Sequence, residues 1–368
     1  LYHLIFVVKI KNNMRVCILG AGLSSLTLAK ALVNRNVYVD LFTDKKINLP
    51  DKSRTIGISR SNIKFFNNSI VNVDKISWKL KKIQIFSENL RNEKLINFEN
   101  NNNELFSIIR NRNLFEVLEK SLSTNKYFKK INFLKNFNFL DSYSLVVNTE
   151  LNNPITKKYF SRKISKEYNS FAYTTIIHHE KIDNNIAVQI FTKFGPLAFL
   201  PISEKETSIV YSLNNKKNEN IYKLIERYNY KYKILNIEEI NSSELKSYNL
   251  RSYYYDHILA FGDLLHKIHP LAGQGFNMTI RDIKILLEII ESKYNLGLDL
   301  DSSVNYEFEK KLKHKNFVFS NGIDLVHEFF KFEGKLKNSL LSKSVQLLNE
   351  SSKINRCFTR VVDKETLL

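Results

Sequence analysis

One stretch of this chain, residues 261–282, limits the folds open to it more than any other. It follows an apolar run at 258–261 that predicts a buried strand, and it ends where isoleucines and leucines recur at helical spacing. Three glycines and a proline interrupt the loop between them: Gly262, Pro270, Gly273 and Gly275. A glycine-rich loop at a helix start exposes backbone N–H groups beside the positive end of the helix dipole, so the stretch predicts an anion site. Asp263 suits a hydroxyl instead, so we expect a ligand that carries hydroxyls as well as negative charge.

A second glycine pattern lies near the start of the chain. An apolar strand at 15–19 runs into Gly20-Ala21-Gly22, a helical pattern follows to about Asn36, and residues 37–42 predict another strand. This order is typical of a dinucleotide-binding fold, in which the glycines let a pyrophosphate approach the backbone. Ser25 stands where a third glycine is usual, so we expect slightly looser packing of the helix on the strand.

Polar residues after the glycine turn are candidates for ligand contacts. Asp44 stands where such folds place the acidic residue that binds a ribose hydroxyl, and Asp40 is an alternative that we expect to face outward. Arg54 lies in a polar loop that leads to a short helix, where it is either a phosphate or flavin contact or an exposed loop residue. Asn111 begins a helical pattern that runs to Leu122, and an N-cap is its simplest role.

The middle of the chain has a different pattern. Alternating apolar and polar residues at 171–213 predict long antiparallel strands in a domain inserted between two segments of the dinucleotide-binding fold. Within it, residues 194–201 predict a turn and an apolar edge suited to covering a ligand. A lysine-rich helical segment is predicted at 218–233. The tail predicts separate helices at 306–319, 324–332 and 336–348.

Composition narrows the partners and the compartment. Lysine and arginine number 56 against 37 acidic residues, a net charge of +19 that favours nucleic acid, an anionic membrane surface or anionic small molecules. The lysines are scattered among Asn and Ile, as in AT-rich genomes, so we predict no nucleic-acid partner. Cys17 and Cys357 lack zinc-site spacing, so we predict no metal and a reducing compartment. Met14 directly precedes the first strand, so we expect residues 1–13 to be an extension upstream of the native start.

The residues of the stretch 261–282 resemble a known family. They are Gly262, Asp263, His266, Pro270, Gly273, Gln274, Gly275, Asn277, Arg281 and Asp282. They are similar to the second flavin motif of the aromatic-ring hydroxylases, the para-hydroxybenzoate-hydroxylase-like flavoproteins, and above all to the FAD-dependent hydroxylases of ubiquinone biosynthesis. The resemblance extends to Gly20-Ala21-Gly22, Arg54, Asn111 and residues 194–201.

The resemblance implies an architecture. It is an α/β fold: a Rossmann-like FAD-binding domain with an inserted antiparallel-sheet substrate domain and a helical C-terminal region. We expect the FAD-binding domain to comprise residues 14–77, 104–160 and 250–300, and the substrate domain to comprise 78–103 and 161–249. Residues 301–368 would form the helical region.

The resemblance also implies roles for individual residues. The expected cofactor contacts are Gly20, Gly22, Ser25, Asp44, Arg54, Asn111, Gly262, Asp263, Pro270, Gly273, Gln274, Gly275, Phe276 and Asn277. Among them, Gly20 and Gly22 would face the FAD pyrophosphate, Asp44 the adenosine ribose and Asp263 the ribityl chain. The flavin ring would lie against the loop from Pro270 to Asn277. The expected substrate pocket consists of Phe194, Gly195, Pro196, Leu197, Leu200 and Pro201.

The chemistry implied by the resemblance belongs mainly to the cofactor. Reduced FAD reacts with O2 to form a C4a-hydroperoxide, which hydroxylates the ring of a polyprenylated phenol, and NAD(P)H or another reductant serves as transient electron donor. The protein supplies a pocket that excludes water. His266 and His269 are weak candidates for a catalytic base, because a structural role is commoner for a histidine beside a cofactor loop.

One motif of the family is altered in this chain. In the family, the strand at 145–147 leads into an Asp-Gly pair followed by a serine and an arginine; here the sequence is Asn148-Thr149-Glu150-Leu151, with Pro154 and Lys157 beyond. Leu151 replaces a glycine, which adopts backbone conformations that other residues rarely do. The change affects the predicted use of NAD(P)H more than the binding of FAD.

Two functions follow from these observations. The first is an FAD-dependent monooxygenase of ubiquinone biosynthesis in a bacterial cytoplasm, peripheral on the inner face of the cytoplasmic membrane, because its substrate has a long tail and its charge favours anionic lipid. The alternative, motivated by Ser25 and Leu151, is a catalytically impaired, flavin-binding scaffold subunit of a quinone-biosynthesis complex.

Overall fold

The computed structural model of this protein describes residues 15–43, 49–90, 94–99, 104–132, 137–214, 220–269 and 274–336. Three predicted cofactor contacts, Asp44, Pro270 and Gly273, lie outside the described residues, as does the predicted extension at 1–13. In the part of the chain that is described, no helix is both long enough and apolar enough to cross a bilayer.

A mainly parallel sheet forms the first layer of the structure. In order across the sheet, its described strands are β16 (Tyr254–Tyr255), β17 (Ile258–Ala260), β9 (Leu145–Asn148), β1 (Arg15–Leu19), β2 (Tyr38–Thr43) and β8 (Phe128–Asn132). Every pair is parallel except β16 with β17. Strands β1 and β9 are continuous apolar runs because both faces of a parallel sheet are covered.

A larger sheet is antiparallel except for one pair. Its described strands, in order, are β18 (His266–Lys267), β15 (Asn241–Leu250), β10 (Lys163–His179), β13 (Glu206–Asn214), β12 (Gly195–Pro201), β11 (Ile186–Thr192), β5 (Lys82–Ser87) and β6 (Lys94–Glu99), with β14 (Ile234–Ile237) beside β10. Only β11 and β5, among these described pairs, run parallel. A small antiparallel sheet consists of β3 (Thr55–Ser59), β7 (Phe106–Arg110) and β4 (Ser77–Leu80).

Helices cover the parallel sheet and complete the core. The described helices are α1 (Leu23–Val33), α2 (Arg60–Ser69), α3 (Asn111–Ser123), α4 (Pro154–Tyr159), α5 (Ile221–Tyr228), α6 (Gln274–Asn295) and α7 (Ser302–Leu336). Leu28 of α1, Leu118 of α3 and Ile283 of α6 are fully buried in one apolar cluster with strands β1 and β9. Each such side chain contributes about 2 kcal/mol by leaving water. Burial also raises the pKa of the Cys17 thiol, which stays protonated and unreactive.

The prediction that Asp40 faces outward is wrong. Its side chain is buried in β2, where the Tyr143 hydroxyl donates a hydrogen bond to its carboxylate at 2.6 Å and Arg15 lies 3.5 Å away. The sequence pattern misled because β2 pairs with strands on both sides and carries helices on its faces, so even its polar positions are covered.

Three predicted elements also have different bounds. The loop before the predicted short helix contains strand β3, the predicted helix at 218–233 is only α5, and the tail forms one helix, α7, through the predicted break at 320–323. Gly322 in a helix costs about 1 kcal/mol, but the helix continues past it and is supported by tertiary contacts on both sides. Tyr168 donates to Asp324, and Ser320 donates to Asn249 at 3.4 Å. The predicted helix at 336–348 lies outside the described residues apart from its first residue.

Candidate cofactor and active site

The turn after β1 accepts only glycine at its first position. Gly20 has a φ of +112°, and its N–H donates to the carbonyl of Phe42 at 2.8 Å. A Cβ at Gly20 would collide with Thr149 Oγ1 and lie 2.8 Å from Glu150 Oε1. The glycine therefore serves both an unusual backbone conformation and close packing against the loop that follows β9.

The start of helix α1 opens onto free space. Gly22 is its N-cap and has an extended backbone, so no side chain caps the first N–H groups, and no acidic residue lies in the first turn. A Cβ at Gly22 would meet no described atom within 4 Å. Backbone donors and the positive helix end thus face an open position, which suits a pyrophosphate.

The two glycine motifs meet at this helix start. Gly262 has a φ of +63°, and a Cβ there would lie 2.7 Å from Ser24 Cβ. The turn Gly262–Leu264 therefore packs directly on the first turn of α1, and it leaves the side chain of Asp263 exposed. Burial and the nearby charge of Asp263 raise the pKa of Tyr248, whose neutral hydroxyl donates to the Asp263 carbonyl at 2.5 Å.

Helix α6 begins with a buried side-chain acceptor. Gln274 is only 5% exposed, and its Oε1 has no hydrogen-bond partner among the described residues. The next residues leave room beside it: a Cβ at Gly275 would meet only Ile268, at 4.0 Å, and Phe276 is half-buried with its ring 6.5 Å from that of Phe66. An orphaned buried amide oxygen costs about 1–3 kcal/mol, so the position is suited to a ligand that donates to it.

Asn277 is committed to the fold through its side chain. Its Oδ1 accepts from the N–H of Ser59 and from Asn62 Nδ2, and its Nδ2 donates to the carbonyl of Gly57, each at 3.0 Å. The side chain therefore fixes α6 to strand β3 and helix α2.

Arg54 and Asn111 lie side by side, but the predicted N-cap role of Asn111 is wrong. Arg110 occupies the N-cap position of α3, while the N–H of Asn111 donates to the carbonyl of Arg54 at 3.0 Å. The Oδ1 of Asn111 is buried without a partner in the described part of the chain, and the Arg54 side chain is exposed. The helix start is set by pairing of β7 with β3, which extends to Arg110 and leaves the asparagine inside the helix.

The two candidate histidines are both buried. His266 Nε2 lies 2.5 Å from Asp282 Oδ2, and Arg281 lies 3.4 Å from the other carboxylate oxygen. His266 thus joins β18 to α6 through a buried pair. His269 packs edge-on against Tyr168, with ring centroids 4.9 Å apart.

The loop after β9 is a network that sequence reasoning did not find. Thr149 Oγ1 donates to the Leu19 carbonyl at 2.8 Å, and it lies 2.7 Å from the hydroxyl of the fully buried Ser25. Ser25, one departure from the family's motifs, therefore contacts the loop that contains the other departure, Leu151. Asn148 Nδ2 also donates a hydrogen bond to Thr156 Oγ1 at 2.8 Å, which links the two ends of the loop. The sequence carried one signal of this network, namely Ser25 at the third glycine position, because a buried hydroxyl there needs a polar partner.

Leu151 does not adopt the backbone conformation that favours glycine. It is 40% exposed and is absent from the described non-glycine residues with positive φ, which are Asn36, Asn169 and Asp256. The loop of this chain therefore does without a glycine-like backbone at this position and is closed by Asn148 and Thr156.

The predicted apolar edge at 194–201 is an internal strand. Strand β12 lies between β11 and β13, and only Phe194 belongs to the turn before it. Alternation splits the predicted pocket residues between two faces. Leu197 lies in the cluster covered by α5, whereas Leu200 pairs with Ser208, whose hydroxyl lies 2.9 Å from Thr55 Oγ1. The Leu200 face, which it shares with Pro196, is thus the one turned toward β3 and the loop of Arg54.

The fold is that of the flavoprotein aromatic-ring monooxygenases. The p-nitrophenol 4-monooxygenase PnpA of Pseudomonas putida DLL-E4 superposes with a TM-score of 0.79 at 12% identity, covering 96% of this chain and 97% of that one. HpxO of Klebsiella pneumoniae, solved with FAD and uric acid, superposes with a TM-score of 0.73 at 11% identity, covering 96% and 97%. Both establish the fold alone, and the predicted fold class is confirmed.

The sequence is similar to proteins of ubiquinone biosynthesis. The ubiquinone biosynthesis monooxygenase COQ6 of Danio rerio is 24% identical over 208 residues, 44% of this chain and 43% of that protein. COQ6 of Drosophila melanogaster is 21% identical over 95% of this chain and 89% of its own length. The resemblance predicted from residues 261–282 is therefore confirmed. No protein-family model matches the chain.

Proposed function

We propose that this protein is an FAD-dependent monooxygenase that hydroxylates the aromatic ring of a polyprenylated phenol in ubiquinone biosynthesis. One observation carries the proposal: Gly262 packs on Ser24, which brings the two glycine motifs to one helix start. The buried acceptors of Asn111 and Gln274, which have no partner among the described residues, add two positions that suit a polar ligand. Similarity to COQ6 over nearly the whole chain in one relative supports the substrate class.

The described residues fit FAD on their own chemistry. The open N-terminus of α1 at Gly22 would hold the pyrophosphate, and the exposed carboxylate of Asp263 would accept hydrogen bonds from the ribityl hydroxyls. Gln274 and the start of α6 would lie against the flavin ring, where the positive helix end stabilises negative charge. When bound, FAD supplies the redox and oxygen chemistry, for which protein side chains are unsuited.

The role left to the protein is to hold the phenol in a dry pocket. The face of β12 that carries Pro196 and Leu200 supplies apolar atoms on the side turned toward β3. Excluding water there keeps the reactive cofactor from side reactions and strengthens every electrostatic contact. His266 would have a positioning role, because its imidazole is hydrogen-bonded to the buried Asp282 and joins β18 to α6.

The proposed electron donor is NAD(P)H, with reduced ferredoxin as the alternative. The altered loop at Asn148 to Leu151 is the reason to test both, since the family's motif at that place contributes to nicotinamide binding. Stopped-flow reduction of the bound flavin by each donor distinguishes them. A bleaching rate that depends on NAD(P)H concentration identifies the nicotinamide as donor, and bleaching by ferredoxin alone excludes it.

A second candidate is a scaffold subunit that binds flavin without catalysis. The observation that favours it is Glu150, whose carboxylate oxygen would lie 2.8 Å from a Cβ on Gly20 and so brings negative charge to the turn expected to face a pyrophosphate. Purified monooxygenase would be yellow and would oxidise its donor when given a prenylated phenol. Colourless protein that co-purifies with other pathway members would favour the scaffold.

Product analysis tests the reaction itself. The chain is expressed in bacterial strains that each lack one ring hydroxylase of ubiquinone biosynthesis, and the quinone intermediates are identified by mass spectrometry. Loss of one intermediate with recovery of ubiquinone supports the proposal and gives the ring position. No recovery in any strain contradicts it. Because the substrate tail is lipid-soluble, we place the protein peripherally on the inner face of the cytoplasmic membrane, where it would meet other subunits of a biosynthetic complex.

A further inference from the structure

A groove of about 770 Å³ lies between helix α7 and the ends of three strands, and none of its described lining residues belongs to the glycine loops. We call it the α7 groove and define it by Ile164, Arg251, Tyr254, Tyr306, Lys310 and Phe317. Three of these residues, Tyr306, Lys310 and Phe317, follow one another along a single face of α7 at helical spacing. The other three come from β10, the turn after β15, and β16.

The groove exposes large apolar side chains. Ile164 is 47% exposed, Tyr306 57% and Phe317 43%. Farther along the same helix, Leu325 is 72% exposed and Phe332 57%. Several large exposed apolar groups lie on one helix, and two of them line a groove together with Ile164, which favours an interaction surface over singly scattered surface hydrophobics.

The rim of the groove is positively charged. The lining carboxylate, Glu309, is already engaged, because it accepts from the backbone N–H of Tyr253 at 2.7 Å and from Lys313 Nζ at 2.6 Å. Arg251, Lys310 and His314 also line the groove, and no described carboxylate lies within 4.0 Å of their nitrogens. The exposed Arg251 and Lys310 therefore present uncompensated positive charge beside the apolar residues.

We propose that the α7 groove docks the protein on an anionic phospholipid bilayer. Tyr306 and Phe317 would enter the region between headgroups and acyl chains, while Arg251 and Lys310 bind lipid phosphates. The net charge of +19 favours an anionic bilayer over a second copy of this chain, because a second copy would bring like charges together. A free phosphate would leave the apolar side chains in water. The inference rests on the membrane location in the proposed function and names the surface responsible.

Vesicle co-sedimentation of the full chain tests the inference. Vesicles of phosphatidylcholine mixed with phosphatidylglycerol should bind the protein at low salt, and pure phosphatidylcholine vesicles should bind it far less. Lys310→Glu and Arg251→Glu should each lower the partition coefficient by roughly 30-fold, the size expected when an attractive charge beside an anionic surface becomes repulsive. Phe317→Ser should lower it by roughly 10-fold and should act on both kinds of vesicle.

Matched controls distinguish binding through the groove from binding through net charge or through any exposed apolar side chain. Lys129→Glu reverses an exposed lysine on β8, at the opposite edge of the parallel sheet from β16, and Leu235→Ser removes an apolar side chain that is 66% exposed on β14. Both should bind vesicles like the unaltered chain. Equal losses in the control and groove variants would overturn the inference. So would a monomer–dimer shift on gel filtration caused by Phe317→Ser, because the groove would then be a contact between copies.

Two readouts keep the inference distinct from the proposed reaction. Groove variants should keep their far-ultraviolet circular dichroism, their FAD affinity and their turnover of a short-tailed, water-soluble phenol. If vesicle binding depends on the groove but no phenol is hydroxylated, the docking surface stands and the proposed reaction fails. If hydroxylation is observed but groove variants bind vesicles normally, the proposed reaction stands and the docking surface fails.

Discussion

The pairing of Ser25 with Thr149 gives the sharpest prediction for the cofactor site. Thr149→Val keeps the side-chain shape but removes the donor to the Leu19 carbonyl at 2.8 Å and the partner of Ser25 Oγ at 2.7 Å. Each lost hydrogen bond costs about 1 kcal/mol, and the Ser25 hydroxyl, which is fully buried, is left unsatisfied. We expect Thr149→Val to lower the free energy of unfolding by about 2–4 kcal/mol.

Substituting the other partner completes a double-mutant cycle, which isolates the interaction between the two hydroxyls. Ser25→Ala leaves Thr149 bonded to the Leu19 carbonyl, so it should cost only about 1 kcal/mol. In the double variant the serine oxygen is no longer orphaned. The double variant should therefore be more stable than the sum of the single losses predicts, by about 1 kcal/mol.

Urea unfolding with and without FAD measures this coupling, and flavin fluorescence gives the dissociation constant. Because Ser25 lies in the first turn of α1 and Thr149 packs on Gly20, both single variants should also weaken FAD binding. Ser53→Ala combined with Thr149→Val is the control and should be additive, since Ser53 contacts Asp51 and Thr174 instead. A Ser25–Thr149 coupling within error of zero would refute the interaction.

Three further predictions follow from the same geometry. In Gly262→Ala the alanine must adopt a φ of +63° and its Cβ collides with α1. The substitution should therefore destabilise the protein by about 2–4 kcal/mol and abolish FAD binding, and a variant that still binds FAD tightly would contradict the packing described. Asp282→Asn weakens the buried contacts of this carboxylate with His266 and Arg281 and should cost about 1.5–3 kcal/mol in urea unfolding, and a loss below about 1 kcal/mol would show that these contacts do not stabilise the fold. Burial lowers the pKa of His179, so the unfolded chain binds that proton more readily. Stability should fall as pH drops below about 6.5 toward the lowered pKa, and a His179→Gln variant should show a smaller fall over that range, measured by thermal melts at stepped pH.

Local chemistry was readable from the sequence where backbone geometry demands particular residues. Gly20 and Gly262 both have positive φ, and glycine occupies such positions at least cost. The parallel strand at 145–148 could be recognised because burial on both faces leaves a continuous apolar run. The alternation at 171–213 likewise predicted antiparallel strands, which the structure has in β10 to β13.

Other features of the fold depend on contacts with residues that are distant in the chain. The sequence could not reveal that Asp40 is covered, because its partner Tyr143 is about a hundred residues away in the chain. Alternation along β12 was visible, but which of its faces turns toward Thr55 was decided by the position of the sheet. Helix α7 passes through Gly322 because its side-chain contacts with neighbouring strands outweigh the local preference for a break.

By itself, the sequence determined the two glycine turns, the helix starts that follow them and the alternation of the larger sheet, because these depend on backbone conformation and on periodicity within a few residues. Tertiary packing brings Ser24 against Gly262 and Ser25 against Thr149, and it combines exposed aromatic groups with exposed cations in the α7 groove. Those contacts join residues distant in the chain, and a departure such as Ser25 gains its meaning from a partner that local pattern cannot supply.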